Sequence, residues 1–485
     1  MLEGYLVQEQ PKVELVAVLK GIGSFEGLGP DHIAAYAARG DFAFESSAQL
    51  VQADREKNAL GKKTRGVLAN SFGKGHGSVG DMTAFVFSIE NLTRAATLQL
   101  CFPEYLEHEQ QSLRRVQAKR GIYLPPALEK SALANEVKTT LEDSVQLYKE
   151  MAGIGLPDDK KESSVPEEDA RFVLPLLTRT NITTKGNARE LIHLYTMNQQ
   201  GEVPSYVADI VLAMHGKAKD AAPHTFARGS LNYETLGFFP SMTLYASENR
   251  TLNEIIKTNS NDDVAFVKHK VDEETMQRAV EQKREEELAN LKHVRDGEHM
   301  SGFLFPISLA GFHQTIRQRT WHHTCESIYD AAVRGTIKLP PSIEKSEWNM
   351  RYLSQCSEML NLYKDLTDAG VPRAEAVGVI PHATMLYDFI QVDGWNAVHA
   401  IGKRTCLEAQ WEIRSICNQI AAHLREKKSP LGEYAQPQCL TYGLCPEEKK
   451  SWAENPENST CSIYKRLMKQ GKLDQEKWRA TEETK

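Results

Sequence analysis

Positive charge is in short supply in this chain. Lys and Arg number 58 against 65 Asp and Glu, a formal net charge of −7 over 485 residues, which argues against the basic surface that nucleic-acid binding needs. Long apolar runs are missing too: nowhere are there the roughly 18 consecutive apolar residues of a membrane span. The opening MLEGYLVQEQPKVELV lacks a basic segment followed by an apolar core. A cytoplasmic protein is expected, with neither a membrane nor nucleic acid as partner. Cysteine is sparse, with eight residues, five of which (Cys406, Cys417, Cys439, Cys445, Cys461) fall in the last eighty positions. Such crowding suits a local feature of the tail better than a disulfide framework.

What the chain does have is enough apolar material, 41% of residues, for more than one core, and an internal repeat. GIYLPPALEKS (Gly121 to Ser131) resembles GTIKLPPSIEKS (Gly335 to Ser346), and LYKEMAGIGLP (Leu147 to Pro157) resembles LYKDLTDAGVP (Leu362 to Pro372). Gln99 pairs with Gln314 and Tyr148 with Tyr363, 215 positions apart. The nine-residue insertion DDKKESSVP (Asp158 to Pro166) reduces the offset to 206, laying EDARFVLP (Glu168 to Pro175) against AEAVGVIP (Ala374 to Pro381).

A tandem duplication follows, with a first copy over residues 1–215, a connection over 216–241, a second copy over 242–435 and a cysteine-containing tail over 436–485. Each copy runs from one strand-like segment (Val13 to Leu19; Met242 to Ala246) to another (from Thr83; from Gly302), then into long helical stretches. VDEETMQRAVEQKREEELANLKHV (Val271 to Val294) is charged nearly all round, with acids and bases at helical spacing, and reads as a solvated connecting helix inserted before the second sheet. GIGSFEG (Gly21 to Gly27) and GHGSVG (Gly75 to Gly80) are not dinucleotide fingerprints. The first has one residue too many, and the second is followed by the strand-like TAFVF instead of a helix.

The most chemistry-rich stretch, IRQRTWHHTCESIYDA (Ile316 to Ala331), has its partner within LQLCFPEYLEHEQQSLRRV (Leu98 to Val116). Ser112 and Ser327 agree, but the cations alternate. Arg317 and Arg319 face Phe102 and Glu104, whereas Arg114 faces Tyr329; Arg171 faces Val377, Arg189 faces Trp395, and Arg404 faces Asn198. Two independently decaying sites would lose groups at random. Complementary loss instead favours one composite site to which each copy contributes half.

Taken together, QTIRQR (Gln314 to Arg319), Ser112 with Arg114, ARFVLP (Ala170 to Pro175), NAR (Asn187 to Arg189) and RTCLEAQWEIR (Arg404 to Arg414) resemble the flavin-dependent thymidylate synthase family. GHGSVGDM resembles that family's glycine-histidine segment. The resemblance implies an α+β fold, two tandem copies each of a sheet packed with long helices. It also implies a homodimer that mimics the family's tetramer. The implied enzyme methylates dUMP reductively to dTMP, with FAD as cofactor and methylenetetrahydrofolate and NADPH as co-substrates. Carried over, Arg317, Arg319, Asn187, Arg189 and His193 contact FAD. Ser112, Arg114, Arg171 and Gln314 hold the nucleotide, and Arg404 acts on the uracil, favouring its ionised N3 form. Planar guanidinium forks suit a phosphate, and a cation beside an ionising base favours the anion.

Gln318 stands where the family has histidine, and Gln110 and Cys325 stand where it has glutamate. These departures keep two alternatives in view: C5 modification of another pyrimidine nucleotide, and noncatalytic nucleotide binding. Adjacent His322 and His323 with Cys325 carry zinc-capable side chains, yet neighbouring histidines rarely face one metal, so no metal is expected there. The tail CLTYGLC (Cys439 to Cys445) with Cys461 has packing and zinc as alternative readings.

Overall fold

The computed structural model describes residues 5–114, 116–155, 165–200, 202–227, 244–246, 250–259, 263–271, 299–426, 432 and 434–474. Residues 272–294 of the charged stretch, most of the Asp158–Pro166 insertion and residues 228–241 of the connection lie outside them. Among the described residues no helix is long and apolar enough to cross a membrane.

Two four-stranded sheets repeat one plan. In the first, β1 (Lys12–Val18), β2 (Phe85–Thr93), β3 (Glu107–Gln110) and β4 (Arg179–Gly186) lie in the order β1-β2-β4-β3. In the second, β5 (Ala265–Val271), β6 (His299–Ser308), β7 (His322–Cys325) and β8 (Met385–Asp393) take the equivalent order β5-β6-β8-β7. The offsets read from sequence recur in the elements. β7 follows β3 by 215 positions, and β8 starts 206 after β4. Alternation sets the strands: Phe85, Phe87 and Ile89 of β2 are fully buried, whereas Val86 and Ser88 are only partly covered.

Two expectations need correction. Leu244 and Tyr245 form a turn, so Met242–Ala246 does not supply the second sheet's first strand; that role belongs to AFVKHKV, Ala265–Val271. The charged stretch begins at the end of this strand and runs between β5 and β6 in sequence, so it does not precede the sheet. In the first copy that interval carries the helices Pro30–Gly40, Ser47–Glu56, Thr64–Asn70 and Gly77–Asp81.

By compactness the chain forms two units, 1–249 with 327–385 and 250–326 with 386–485. The first unit joins the helical segment of the second copy to the first copy about a local two-fold axis. Helices Ala134–Met151 and Asn349–Asp368 bury matching faces: Val137, Leu141, Val145 and Tyr148 in one, Tyr352, Cys356, Leu360 and Tyr363 in the other. They pack on each other, and Gln355 Nε2 donates to the carbonyl of Thr140, its own repeat position, at 3.1 Å.

Pro175 bridges Pro381, also repeat partners. Around them, Leu176 N donates to Ile380 O and His382 N to Leu174 O, at 3.1 and 2.9 Å. Leu177 N donates to Gly378 O and Ala383 N to Phe172 O, at 3.1 and 2.8 Å. Both pairs are symmetric equivalents. Gly378 is required at this close approach, since a Cβ there would lie 2.6 Å from Leu177 Cδ2 and Tyr206 Oη.

The second unit holds the second sheet, the helices Leu309–Thr315, Gly394–Arg404 and Trp411–Glu426, and the tail. Cys445, Trp452, Cys461 and Tyr464 form a small core there, with Cys439 packed against it.

Candidate functional site

In the first unit the NAR motif opens the helix Ala188–Gln200. Asn187 Oδ1 accepts from Glu190 N at 2.9 Å, the usual use of asparagine at a helix start. Ala188 N donates to Thr83 Oγ1 at 2.9 Å. Arg189 Nη1 meets Asp81 Oδ2 at 3.1 Å, so the last residue of the helix Gly77–Asp81 joins the glycine segment to the NAR motif. One turn further on, His193 Nδ1 lies 3.6 Å from Glu190 Oε2. Three expected FAD contacts therefore share one helix end, where the amide dipoles favour an anion. The Arg189 side chain keeps 41% of its exposure.

The expected nucleotide ligands of the same unit gather around Glu168. Ser112, exposed just past β3, accepts from Arg114 N at 3.2 Å and so closes a tight turn. Arg114 Nε reaches Glu168 Oε2 at 2.6 Å, and the buried Arg171 donates from Nε to Glu168 O at 2.9 Å. Tyr148 lies behind them. Burial pushes its hydroxyl up to about 12, with Arg171 pulling it the other way. Nothing in EDARFVLP signals that the Glu168 carboxylate will pair Arg114 while its carbonyl accepts from Arg171.

The second unit explains AQWEI structurally. Gln410 Oε1 accepts from Glu412 N and Ile413 N, both at 3.1 Å, and thereby caps the helix Trp411–Glu426. The buried Glu412 carboxylate accepts from Ser308 N at 2.8 Å and from Ser308 Oγ at 2.5 Å. Ser308 is itself the cap of the helix Leu309–Thr315, its Oγ accepting from Gly311 N at 2.9 Å. Gly311 cannot carry a Cβ, which would lie 2.7 Å from Glu412 Oε2.

Gln314, next to last in that helix, donates from Nε2 to Ala310 O at 3.4 Å, and the helix leads into Arg317, Gln318 and Arg319. With the Gln318 amide oriented by its neighbours, its oxygen accepts from Arg404 Nε and Nη2 at 2.7 and 2.5 Å. Arg317 is exposed and Arg319 half-exposed.

His323 is tied down. Its Nδ1 meets the buried Asp388 Oδ2 at 2.7 Å and its Nε2 faces Thr315 O at 3.1 Å, which braces the turn carrying the two arginines. The Cys325 thiol is fully buried, and that burial pushes its pKa well above the ordinary value. Among the described residues no group of three or more His, Cys, Asp or Glu is arranged to hold a metal ion. In the tail, burial pushes the Cys439 and Cys445 thiols up to about 11 and about 12.

The family model described as Thymidylate synthase complementing protein, Thy1, matches residues 26–224 and 245–430. A flavin-dependent thymidylate synthase of Nitratidesulfovibrio vulgaris is 32% identical over 185 residues, spanning 37% of this chain and 74% of that protein. One of Haloarcula marismortui is 24% identical over 229 residues, spanning 41% of this chain and 89% of that one. A crystal structure described as the UMP/dUMP methylase PolB from Streptomyces cacaoi bound with 5-Br dUMP is 18% identical, with a TM-score of 0.36 over 47% of this chain and 97% of that one. With both copies matched over most of their length, this chain belongs to the thymidylate synthase complementing protein family, Thy1.

Proposed function

We propose that the chain is a flavin-dependent thymidylate synthase that converts dUMP to dTMP. In this reading Asn187, Arg189, His193, Arg317 and Arg319 hold FAD, and Ser112, Arg114, Arg171 and Gln314 hold the nucleotide. Arg404 acts on the base. The donor set suits the groups assigned to it: a half-exposed Arg189 at a helix start and an exposed Arg317 are cationic donors fit for a diphosphate. When bound, reduced FAD supplies a hydride, while methylenetetrahydrofolate supplies the carbon and NADPH the electrons.

The observation that carries the proposal is the grip of Gln318 on Arg404. An amide is neutral, so this contact fixes the guanidinium fork and leaves its charge in place. A fixed cation lowers the cost of an anionic uracil, and it is the ionised N3 that raises the electron density at C5. No cysteine nucleophile is needed, and the buried, strongly protonated Cys325 thiol is unsuited to be one. Glu168 holds Arg114 and Arg171 in register before a phosphate arrives. The complementary retention of arginines between the copies supports one composite site per pair of copies, and the homodimer follows from that resemblance.

Purified protein incubated with FAD, NADPH, methylenetetrahydrofolate and dUMP is expected to form dTMP, with Arg404→Ala inactive yet still yellow with flavin. Turnover by Arg404→Ala at the wild-type rate would remove the assignment. The substitution of Gln110 and Cys325 for the family's glutamate supports one competing reading, an acceptor other than dUMP. Product formation from UMP in the same assay decides between them.

A further inference from the structure

The second copy's Ser327, Ile328 and Tyr329 stand at the repeat positions of Ser112, Leu113 and Arg114, and within the first unit polypeptide already fills the space before them. Ser327 Oγ donates to Ala246 O at 2.6 Å, and Ile328 N donates to Leu244 O at 3.0 Å. The Tyr329 hydroxyl donates to Glu202 O. Glu202 N in turn donates to Tyr245 O at 3.0 Å, and the Tyr245 hydroxyl to Ala95 O at 2.8 Å. Arg373 closes the arrangement from outside. Its Nε and Nη2 grip the two Glu202 carboxylate oxygens at 2.5 Å each, and its guanidinium lies 4.6 Å from the centre of the Tyr329 ring.

The two copies differ accordingly. Ser112 is exposed, whereas Ser327 is 2% exposed. Leu244 and Tyr245 are completely buried. Tyr329 and Val377 replace Arg114 and Arg171, so the cations that would reward a phosphate at this position are gone. An entering nucleotide would have to break a part-exposed bidentate ion pair and three hydrogen bonds made by the buried Ser327, Ile328 and Tyr329. A cavity of about 490 Å³ opens beside Tyr329, lined by Asp330, Tyr363, Lys364 and Arg373, and Ser327 is not part of its wall.

We propose that the nucleotide half-site of the second copy is closed in cis by Glu202 and Leu244–Ala246, so that each chain binds one nucleotide, at Ser112, Arg114 and Arg171. This rests on the nucleotide reading above. Glu202 and Leu244–Ala246, which lie on either side of the connection in sequence, then have a function: they plug the redundant site left by the duplication.

Equilibrium dialysis of the full-length protein against labelled dUMP tests it. One dUMP per chain is expected, lost in Arg114→Ala and retained in Ser327→Ala. Two per chain in the wild type, or a single one that disappears in Ser327→Ala and survives in Arg114→Ala, would overturn the proposal. If no dUMP binds at all, the nucleotide reading fails, and the plug is judged separately by hydrogen exchange. The Ile328 amide is expected to be protected in the wild type and released in Glu202→Ala. Unprotected exchange at Ile328 in the wild-type protein would overturn the plug itself.

Discussion

The oxygen of the Gln318 amide accepts from both Nε and Nη2 of Arg404, at 2.7 and 2.5 Å, across the turn between the two cations Arg317 and Arg319. A glutamine where the family resemblance expects histidine is thus a holder of the catalytic arginine in the proposed mechanism. Gln318→Ala is expected to leave FAD binding intact and to lower kcat about tenfold, about 1.4 kcal/mol, the worth of a charge-assisted hydrogen bond. Steady-state rates with saturating dUMP measure it, and a variant with unaltered kcat would show that Arg404 is positioned by other groups.

Glu412 carries a different burden. It is buried and holds Ser308, which starts the helix leading to Gln314 and Arg317. Glu412→Ala should destabilise the protein by about 3 kcal/mol, because the buried Ser308 N–H is left unpaired. A chemical denaturation curve reads this directly. A midpoint equal to the wild type would mean that Ser308 finds another acceptor.

Asn187 combines stability with cofactor binding. Asn187→Ala removes the cap of the Ala188–Gln200 helix, worth about 1 kcal/mol, and also disturbs Arg189 and His193 on its first turns. A lower melting temperature together with weaker FAD affinity is expected. Arg189→Ala, by contrast, should weaken FAD with little loss of stability, since its ion pair with Asp81 is part-exposed.

The plug has a pH signature. Arg373 holds the Glu202 carboxyl below its ordinary value of 4.5. A depressed carboxylate contributes stability that is present above the unfolded value and lost as pH falls through the folded one. Melting temperatures measured from pH 7 down to pH 3 should therefore separate wild type from Glu202→Gln at neutral pH and converge at the acid end. Parallel curves over the whole range would show that the ion pair contributes nothing.

Much of this architecture was legible in the sequence. The offsets of 215 and 206 recur in the strands. The second sheet's first strand escaped because AFVKHKV carries two lysines and a histidine, whereas Leu244 and Tyr245 are apolar for a different reason: they are buried in the plug. The family resemblance singled out Arg404, Arg317 and Ser112 but said nothing of the residues that contact them. Glu168, Gln318 and Glu412 act through contacts between residues far apart in the chain, and no periodicity records such pairs.

One titration bears most directly on the composite site. Protein loaded with FAD is titrated with dUMP while the visible flavin band is followed. A spectral shift is expected that saturates at one nucleotide per chain and is lost both in Arg114→Ala, from the first copy, and in Arg404→Ala, from the second. A shift that survives either substitution unchanged, or no shift at all in flavin-loaded wild type, would contradict a single site built from both copies.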